Sequence, residues 1–310
     1  MDDKWTELKT ILEQESSQQN WEALCTLLKI WTEDEGLDEA LNYTEQHLVS
    51  WEDYQRTSPW YWLQDILTNA NPRLKVVRDI NLLAYNIGDE GVAILAKLPY
   101  IANLSQLNLA VNNISDEGAI FLAQSSYLKN LTYLELGENH IGSKGIEAFA
   151  QSPSLSKLTK LVIDKNKIGN DGITALSQSL YLKDLTFLNL SENVIGLSGI
   201  QALAQSPNFS ALTYLDISGN PIGDKEALEL AQSSHINHLE RLSLAFTRIG
   251  HEGIIALVQS PLLSQLVELD LQGNKLNTKS ITILTDAGFK HEDQVWVKQN
   301  YQLSNNHICT

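Results

Sequence analysis

Cationic side chains are scarce in this sequence: 22 Lys and Arg stand against 38 Asp and Glu, a formal net charge of −16. A nucleic-acid binder needs Lys and Arg against the phosphate backbone, so that class is excluded. Cysteine is nearly absent. Cys25 and Cys309 lie far apart at no metal or redox spacing, so free thiols in a reducing compartment are expected. No apolar run reaches the roughly 18 residues a membrane-spanning helix requires. The opening MDDKWTELKT starts acidic and lacks the apolar stretch of a secretory signal, so a cytoplasmic location is expected, with secretion as an effector left open. There is no Gly-rich phosphate loop. His235 and His238 stand three apart, with no carboxylate or Cys in register, and neither cysteine has an evident base. No catalytic residue, metal or cofactor is therefore expected, and the chain does not read as an enzyme.

What the sequence has in quantity is apolar residues at a strict period. They make up 43% of 310 residues, enough for a sizeable core. In steps of 27, one ladder runs Ile80, Leu107, Leu134, Leu161, Leu188, Leu215, Leu242 and Leu269. A second lies two residues on: Leu82, Leu109, Leu136, Ile163, Leu190, Ile217, Leu244 and Leu271. A third runs Ile87, Ile114, Ile141, Ile168, Ile195, Ile222, Ile249 and Leu276, and a fourth from Leu95 to Leu284. Four ladders in one register mark a repeat that buries its apolar side by stacking on its neighbours.

Each unit reads as strand, turn, helix and loop. The Leu-x-Leu alternation is a short strand. In ISDEGAIFLAQS, Ser115 or Asp116 is the expected helix N-cap, and Pro99, Pro153, Pro207 and Pro261 close helices. An asparagine ladder, Asn112, Asn139, Asn166, Asn193, Asn220 and Asn274, falls at the strand-to-helix turn, with Tyr85 and Thr247 breaking it. Its amides are expected to satisfy backbone groups that no strand can reach. A glycine ladder, Gly91, Gly118, Gly145, Gly172, Gly199 and Gly253, is expected to let each helix approach its neighbour. Glu226 and Ser280 interrupt it, and looser packing is expected there.

The pattern LxxLxLxxNxIGxxGIxxLAxS resembles the ribonuclease-inhibitor class of leucine-rich repeats, over residues 74–292 as eight units. That class also occurs in NOD-like receptors and Ran GTPase-activating proteins. The resemblance implies an α/β horseshoe: a solenoid with a parallel inner sheet, outer helices and ligands held on the concave face. It is specific for fold and weak for function. Strands about 4.8 Å apart facing helices about 8–10 Å apart would give the curvature.

Strand residues between the buried leucines should face the concavity. The expected partner-binding residues are Tyr133, Glu135, Lys160, Asp164, Phe187, Glu192, Tyr214, Asp216, Arg241, Phe246, Glu268 and Asp270. Tyr133, Phe187 and Tyr214 share one column, with Phe246 near it one strand further. Exposed aromatics there point to an interface, and cross-strand stacking of β-formers is the alternative. With Asp79, Glu138 and Lys165 of the same face counted, acids outnumber bases eight to three, which suits a basic protein partner. The expected function is a non-catalytic protein–protein interaction module, an inhibitor or scaffold, probing no nucleic acid and no membrane, as a monomer. Two alternatives stay open. One is a regulator of a small GTPase, with Arg248 as its candidate residue; the other is a bacterial effector acting on a host protein.

The ends differ from the array. Residues 1–73 hold six of seven Trp, with fifteen acids and five bases. Helical spacing appears at Trp5, Leu8, Ile11 and Leu12, then at Trp21, Leu24, Leu28 and Trp31 after Asn20 as cap. It continues at Leu37, Leu41 and Leu48, and from Ser58-Pro59 through Leu63, Ile66 and Leu67. An all-α N-terminal cap, or a second interaction module, is expected. Residues 293–310 should form a C-terminal capping tail, with QVWVKQNY adding an edge strand or hairpin.

Overall fold

The computed structural model describes residues 2–52, 56–58, 63, 71–292 and 295–299. Each repeat contributes a three-residue strand whose central side chain is an apolar ladder residue: β1 (Asp79–Asn81), β2 (Gln106–Asn108), β3 (Tyr133–Glu135), β4 (Lys160–Val162), β5 (Phe187–Asn189), β6 (Tyr214–Asp216), β7 (Arg241–Ser243) and β8 (Glu268–Asp270). These pair in parallel and in sequence order, so residues 27 apart are direct neighbours. The central residues Ile80 to Leu269 are buried, as are their second-ladder partners. They point toward the helices, and the residues on either side of them form the opposite, open face.

The N-terminal helices are α1 (Asp2–Leu12), α2 (Gln18–Lys29) and α3 (Leu37–His47). Ser17, and not Asn20, caps α2: its hydroxyl accepts from Asn20 N at 3.1 Å. Of the fourth expected helix, Ser58 and Leu63 are described, and both are buried; the remainder lies outside the described residues. The segment before the array joins the first strand. Thr57 bridges Asp79 in parallel, and Ser58 N donates to Asp79 O at 2.8 Å. Buried Arg56 donates to Val76 O and to Glu45 at 2.9 Å, and Glu45 also pairs with Arg78. One sheet edge is thus covered, as an open strand edge requires.

The repeat helices are α4 (Gly88–Leu95), α5 (Asp116–Gln124), α6 (Ser143–Ala150), α7 (Gly169–Ser177), α8 (Leu197–Gln205), α9 (Asp224–Ala231), α10 (His251–Gln259), α11 (Pro261–Gln265) and α12 (Thr278–Asp286). Short 3-10 turns follow Leu98, Ser152 and Ser206, each opening with proline at its first position, where a missing N–H costs nothing. The prolines therefore start the next turn as well as follow a finished helix. At the far edge, β9 (Phe289–Glu292) and β10 (Val295–Lys298) form an antiparallel pair on β8, with Trp296 opposite Leu269. The strand expected in QVWVKQNY is there, as the inner member of a hairpin whose outer strand, β9, forms the edge, and Trp296 takes the place of a ninth ladder leucine.

Polar ladders join the units. The Asn166 amide donates to Leu136 O of the preceding unit at 2.9 Å and to Ile163 O and Asp164 O of its own at 3.2 and 2.9 Å, while its oxygen accepts from Ile141 N at 2.8 Å. Asn139 and Asn220 act alike, accepting from Ile114 N and Ile195 N at 2.9 Å. Where Thr247 breaks the ladder, its hydroxyl donates to Leu244 O and no amide reaches back, so Ile222 N turns to Asn220 O at 2.7 Å. A serine ladder acts at the helix C-termini. Ser125, Ser152, Ser179 and Ser206 each donate to a last-turn carbonyl of the previous helix at 2.6 Å, satisfying acceptors that a helix end leaves open.

The glycines have two jobs. A Cβ on Gly145 would stand 2.8 Å from both Ala119 Cβ and Ile141 Cγ2, so close approach is enforced as expected. Their N–H groups also serve as cap donors. Asp116 Oδ1 accepts from Gly142 N and Gly145 N of the next helix, at 2.7 and 2.8 Å. Asn170 does this for Gly196 and Gly199, and Asp224 for Gly250 and Gly253. Asp116 is thus a cap for α6, while Ser115 caps its own α5. Leu197 in this column has nothing to offer α9, so Glu226 reaches back to Gly223 N at 2.8 Å. His251 precedes α12, where Asn277 accepts from the fully buried Ser280 at 2.9 Å. Neither interruption of the glycine ladder is a loose spot: each helix supplies its own cap.

Replacing Asn166 by Ala leaves Ile141 N without its acceptor in the interior, whereas Leu136 O and Ile163 O lose one donor each and keep the Asn139 and Asn193 amides. At about 1–3 kcal/mol for a buried group left unpaired, urea denaturation should show a loss of about 1–3 kcal/mol.

Candidate functional site: the open face of the sheet

Parallel register sets side chains of successive repeats side by side on the open face. One row is Tyr133, Lys160, Phe187, Tyr214, Arg241 and Glu268, in strand-pairing order. The next row contains Glu135, Val162, Asn189, Asp216, Ser243 and Asp270. Asp164 follows β4 by two residues. The two strand rows hold nine of the twelve sequence-predicted residues, and Asp164 stands just beyond them.

The aromatic column is interrupted. The rings of Phe187 and Tyr214 lie parallel with centroids 4.0 Å apart, and the Arg241 guanidinium sits 5.3 Å from the Tyr214 centroid. Stacking of this kind contributes about 0.5–1.5 kcal/mol beyond area burial, and the cation over the ring adds electrostatic attraction. All three side chains remain half-buried. Lys160, exposed, separates Phe187 from Tyr133, whose hydroxyl donates to Glu135 Oε2 at 2.9 Å. Cross-strand stacking and solvent exposure therefore coexist in one row.

Glu192 and Phe246 depart from the expected strand placement. Both lie in the turn after the strand, at φ +53° and +54°, and both are exposed. The column they occupy is left-handed in every repeat, from Ala84 to Gly273. A left-handed backbone costs an L-residue roughly 1–2 kcal/mol. A Cβ on Gly219 would meet Glu192 Cγ at 2.6 Å, and one on Gly273 would meet the Phe246 ring at 2.2 Å. Each large side chain leans over the glycine of the following unit. Phe246 is 60% exposed on this rim, and does not extend the aromatic row. Tyr85, which breaks the asparagine ladder, and Val111 are not among the expected binding residues; with Leu83 they make the first two units' side of this surface apolar and exposed.

The carboxylates of the face are held close to one another. Gly137, lacking a side chain, leaves room for both Glu135 and Asp164: a Cβ there would meet Asp164 Oδ1 at 2.5 Å and Glu135 Oε1 at 2.9 Å. Burial pushes the Glu135 carboxyl above its usual range, with Asp164 adding repulsion against the hydrogen bonds from Gly137 and Tyr133. Burial likewise raises Asp164 and Asp216. Hydrogen bonds to Ser218 oppose the rise at Asp216, while Asp270 and Asp164 reinforce it. The Tyr214 hydroxyl is pushed up chiefly by burial. Glu138 and Lys165 pair at 2.7 Å on the exposed rim, a contact of small energetic weight. Among the described residues, no group of three or more His, Cys, Asp or Glu is placed to hold a metal, and no helix is long and apolar enough to cross a membrane.

A family profile described as "Leucine Rich repeat" matches residues 100–123, 127–150, 154–177, 181–204, 211–231 and 235–258. No curated protein matches the chain. Among solved structures it is similar to an internalin of Listeria monocytogenes at 20% identity, covering 69% of this chain and 80% of that one, with a TM-score of 0.35. A plant ice-binding protein matches at 20% identity over 66% of this chain and 61% of its own, with a TM-score of 0.39. A protein of Bacteroides fragilis matches at 15% identity over 72% of this chain and 66% of its own, with a TM-score of 0.50; this likeness concerns the fold alone. The chain belongs to the leucine-rich-repeat family, whose repeats are protein–protein interaction modules.

The raised carboxyls carry a stability consequence. A carboxyl whose folded pKa exceeds its unfolded value binds more protons when folded, so stability falls as pH rises through that range. Asp216→Asn keeps the oxygen that accepts from Ser218 N at 2.8 Å and removes the charge. Thermal melts should show the variant more stable than wild type at pH 7, with the difference shrinking as pH falls and Asp216 protonates.

Proposed function

We propose that this is a ribonuclease-inhibitor-type repeat protein that binds another protein on the concave face of its sheet, as an inhibitor or scaffold and without catalysis. The observation that carries the reading is the Phe187–Tyr214–Arg241 stack. Aromatic and Arg side chains dominate interface energetics when presented rigidly, and here each ring is pre-ordered by its neighbour while part of its surface stays open. The sheet of parallel strands spaced about 4.8 Å apart spans enough width for an interface of standard size. The repeat length of 27 and the helix in every described repeat support the subclass.

The partner is a basic protein. The acids Glu135, Asp164, Asp216, Glu268 and Asp270 border the stack, and Lys160 and Arg241 are the bases among the strand-row site residues. A cationic surface laid here would stabilise the ionised form of carboxyls that burial now disfavours, and opposite fields would speed encounter. The reading takes residues 1–73 as a helical cap, 74–292 as the recognition array and 293–310 as the closing tail, in a monomer of the cytoplasm.

The test is affinity capture followed by titration. The partner retained by the wild-type chain should bind the folded Tyr133→Ala/Phe187→Ala/Tyr214→Ala variant more weakly by roughly 30-fold or more, the loss of one strong hot spot. Unchanged affinity would sink the concave-face reading.

A further inference from the structure

The turns that follow the strands form a rim beside the open face, and the backbone of this rim is left-handed at two columns. In the first, which runs from Ala84 to Gly273, Phe246 stands at φ +54°. In the second, Asn86 and Asn113 stand at +53° and +58°, but Val194 and Arg248 stand at +59° and +67°. Asparagine visits this region readily, because its short polar side chain bonds locally. A β-branched or bulky residue there is an outlier. The fold gains little in return: Val194 is 69% and Phe246 60% exposed, and Arg248 is exposed. Val111 carries the same strain in the second unit. Strained residues that the core does not use point to a use at the surface.

Parallel register makes the later outliers neighbours. Val194, Pro221 and Arg248 occupy one column in three successive units, and Phe246 stands two residues before Arg248. All four are exposed. The Phe246 ring lies against the Gly273 turn, where a Cβ would meet it at 2.2 Å, so one side of the ring is held and the rest is open. The charge of the rim is opposite to that of the sheet. The column from Asn86 to Lys275 contains no acid and carries Lys167, Arg248 and Lys275. Lys165 pairs with Glu138, whereas no described residue forms an ion pair with Lys167 or Arg248. Glu192, leaning over Gly219, is the acid at the border of the patch.

We propose that this rim is a second protein-binding site, which takes an acidic segment of a partner with an apolar side chain flanked by carboxylates. The apolar side chain covers Val194, Pro221 and Phe246. A carboxylate meets the Arg248 guanidinium, whose planar fork matches it with two parallel hydrogen bonds. An exposed ring beside an arginine is the composition of an interface anchor, and a contiguous apolar patch rimmed by charge marks a contact surface. The site stands apart from the concave face and does not depend on it. Taken with the concave-face reading, it gives the chain two faces that select proteins of opposite charge, each repelling the other's partner, so that one scaffold joins both.

The experiment selects a displayed library of random peptides on the full-length chain. The enriched peptides should include a class with Asp or Glu beside Leu, Phe or Trp. A synthetic peptide of that class should bind Phe246→Asn and Arg248→Gln each about tenfold more weakly than wild type, the weight of one interface anchor, and more weakly in raised salt. It should bind the Tyr133→Ala/Phe187→Ala/Tyr214→Ala variant as it binds wild type, which separates failure of this site from failure of the concave face. Val194→Asn should lose affinity and yet melt about 2 °C higher, because its backbone strain is relieved. Circular dichroism checks that each variant is folded. A selection without an acidic class, equal affinity for Phe246→Asn, Arg248→Gln and wild type, or a lower melting temperature for Val194→Asn would overturn the proposal.

Discussion

The structure depends on how one repeat's turn is hydrogen-bonded by the next. A strand of three residues has few ladder bonds of its own, and the chain then turns through a left-handed residue toward the helix. Backbone groups at that turn are buried and cannot be met by water. The asparagine side chain of the following unit reaches them, and its amide also ties its own turn. No unit is satisfied alone. The same logic governs helices α5, α6, α8 and α10, whose first N–H groups donate to a cap on the preceding helix, and the helix ends whose last carbonyls accept from a serine of the following unit. Apolar ladders provide the driving force for stacking; the polar ladders fix register, because a slipped unit would bury the same groups without partners.

That rigidity is what makes the open face useful. Side chains 27 residues apart are held at strand spacing, so ring stacks and carboxylate pairs form without any local sequence motif. The face bears a tension between its two chemistries. Stacked Phe187 and Tyr214 are stabilised by contact, whereas Glu135, Asp164 and Asp216 are held together against burial and mutual repulsion. Local rules broken in this way are expected at functional sites, and this supports the recognition surface proposed above.

Much of this was legible in advance. The four apolar ladders identify the core residues, the strand positions and the pairing register, and QVWVKQNY signals β10, while the edge strand β9 lies before that segment. The cross-repeat caps were not legible, because an N-cap is sought within a few residues of its helix and Asp116 acts 26 and 29 residues away. The signal was present: Asp89, Asp116, Asn170 and Asp224 stand in one column with Ser143, Leu197 and His251, and each of the first four caps the next helix. Glu192 and Phe246 were misplaced for a different reason. Periodicity assigns a row but carries no backbone dihedral, and a Phe at positive φ is not something composition announces.

The most direct test of the interlocked-turn account is amide hydrogen exchange under native conditions. Ile114, Ile141, Ile195 and Ile249 N–H, held by side chains of the following unit, should exchange slowly, and Ile222 and Leu276 N–H, closed on a carbonyl two residues back, markedly faster. Protection of Ile222 equal to that of Ile195 would contradict the account, since the asparagine of the next unit would then not be what holds the turn.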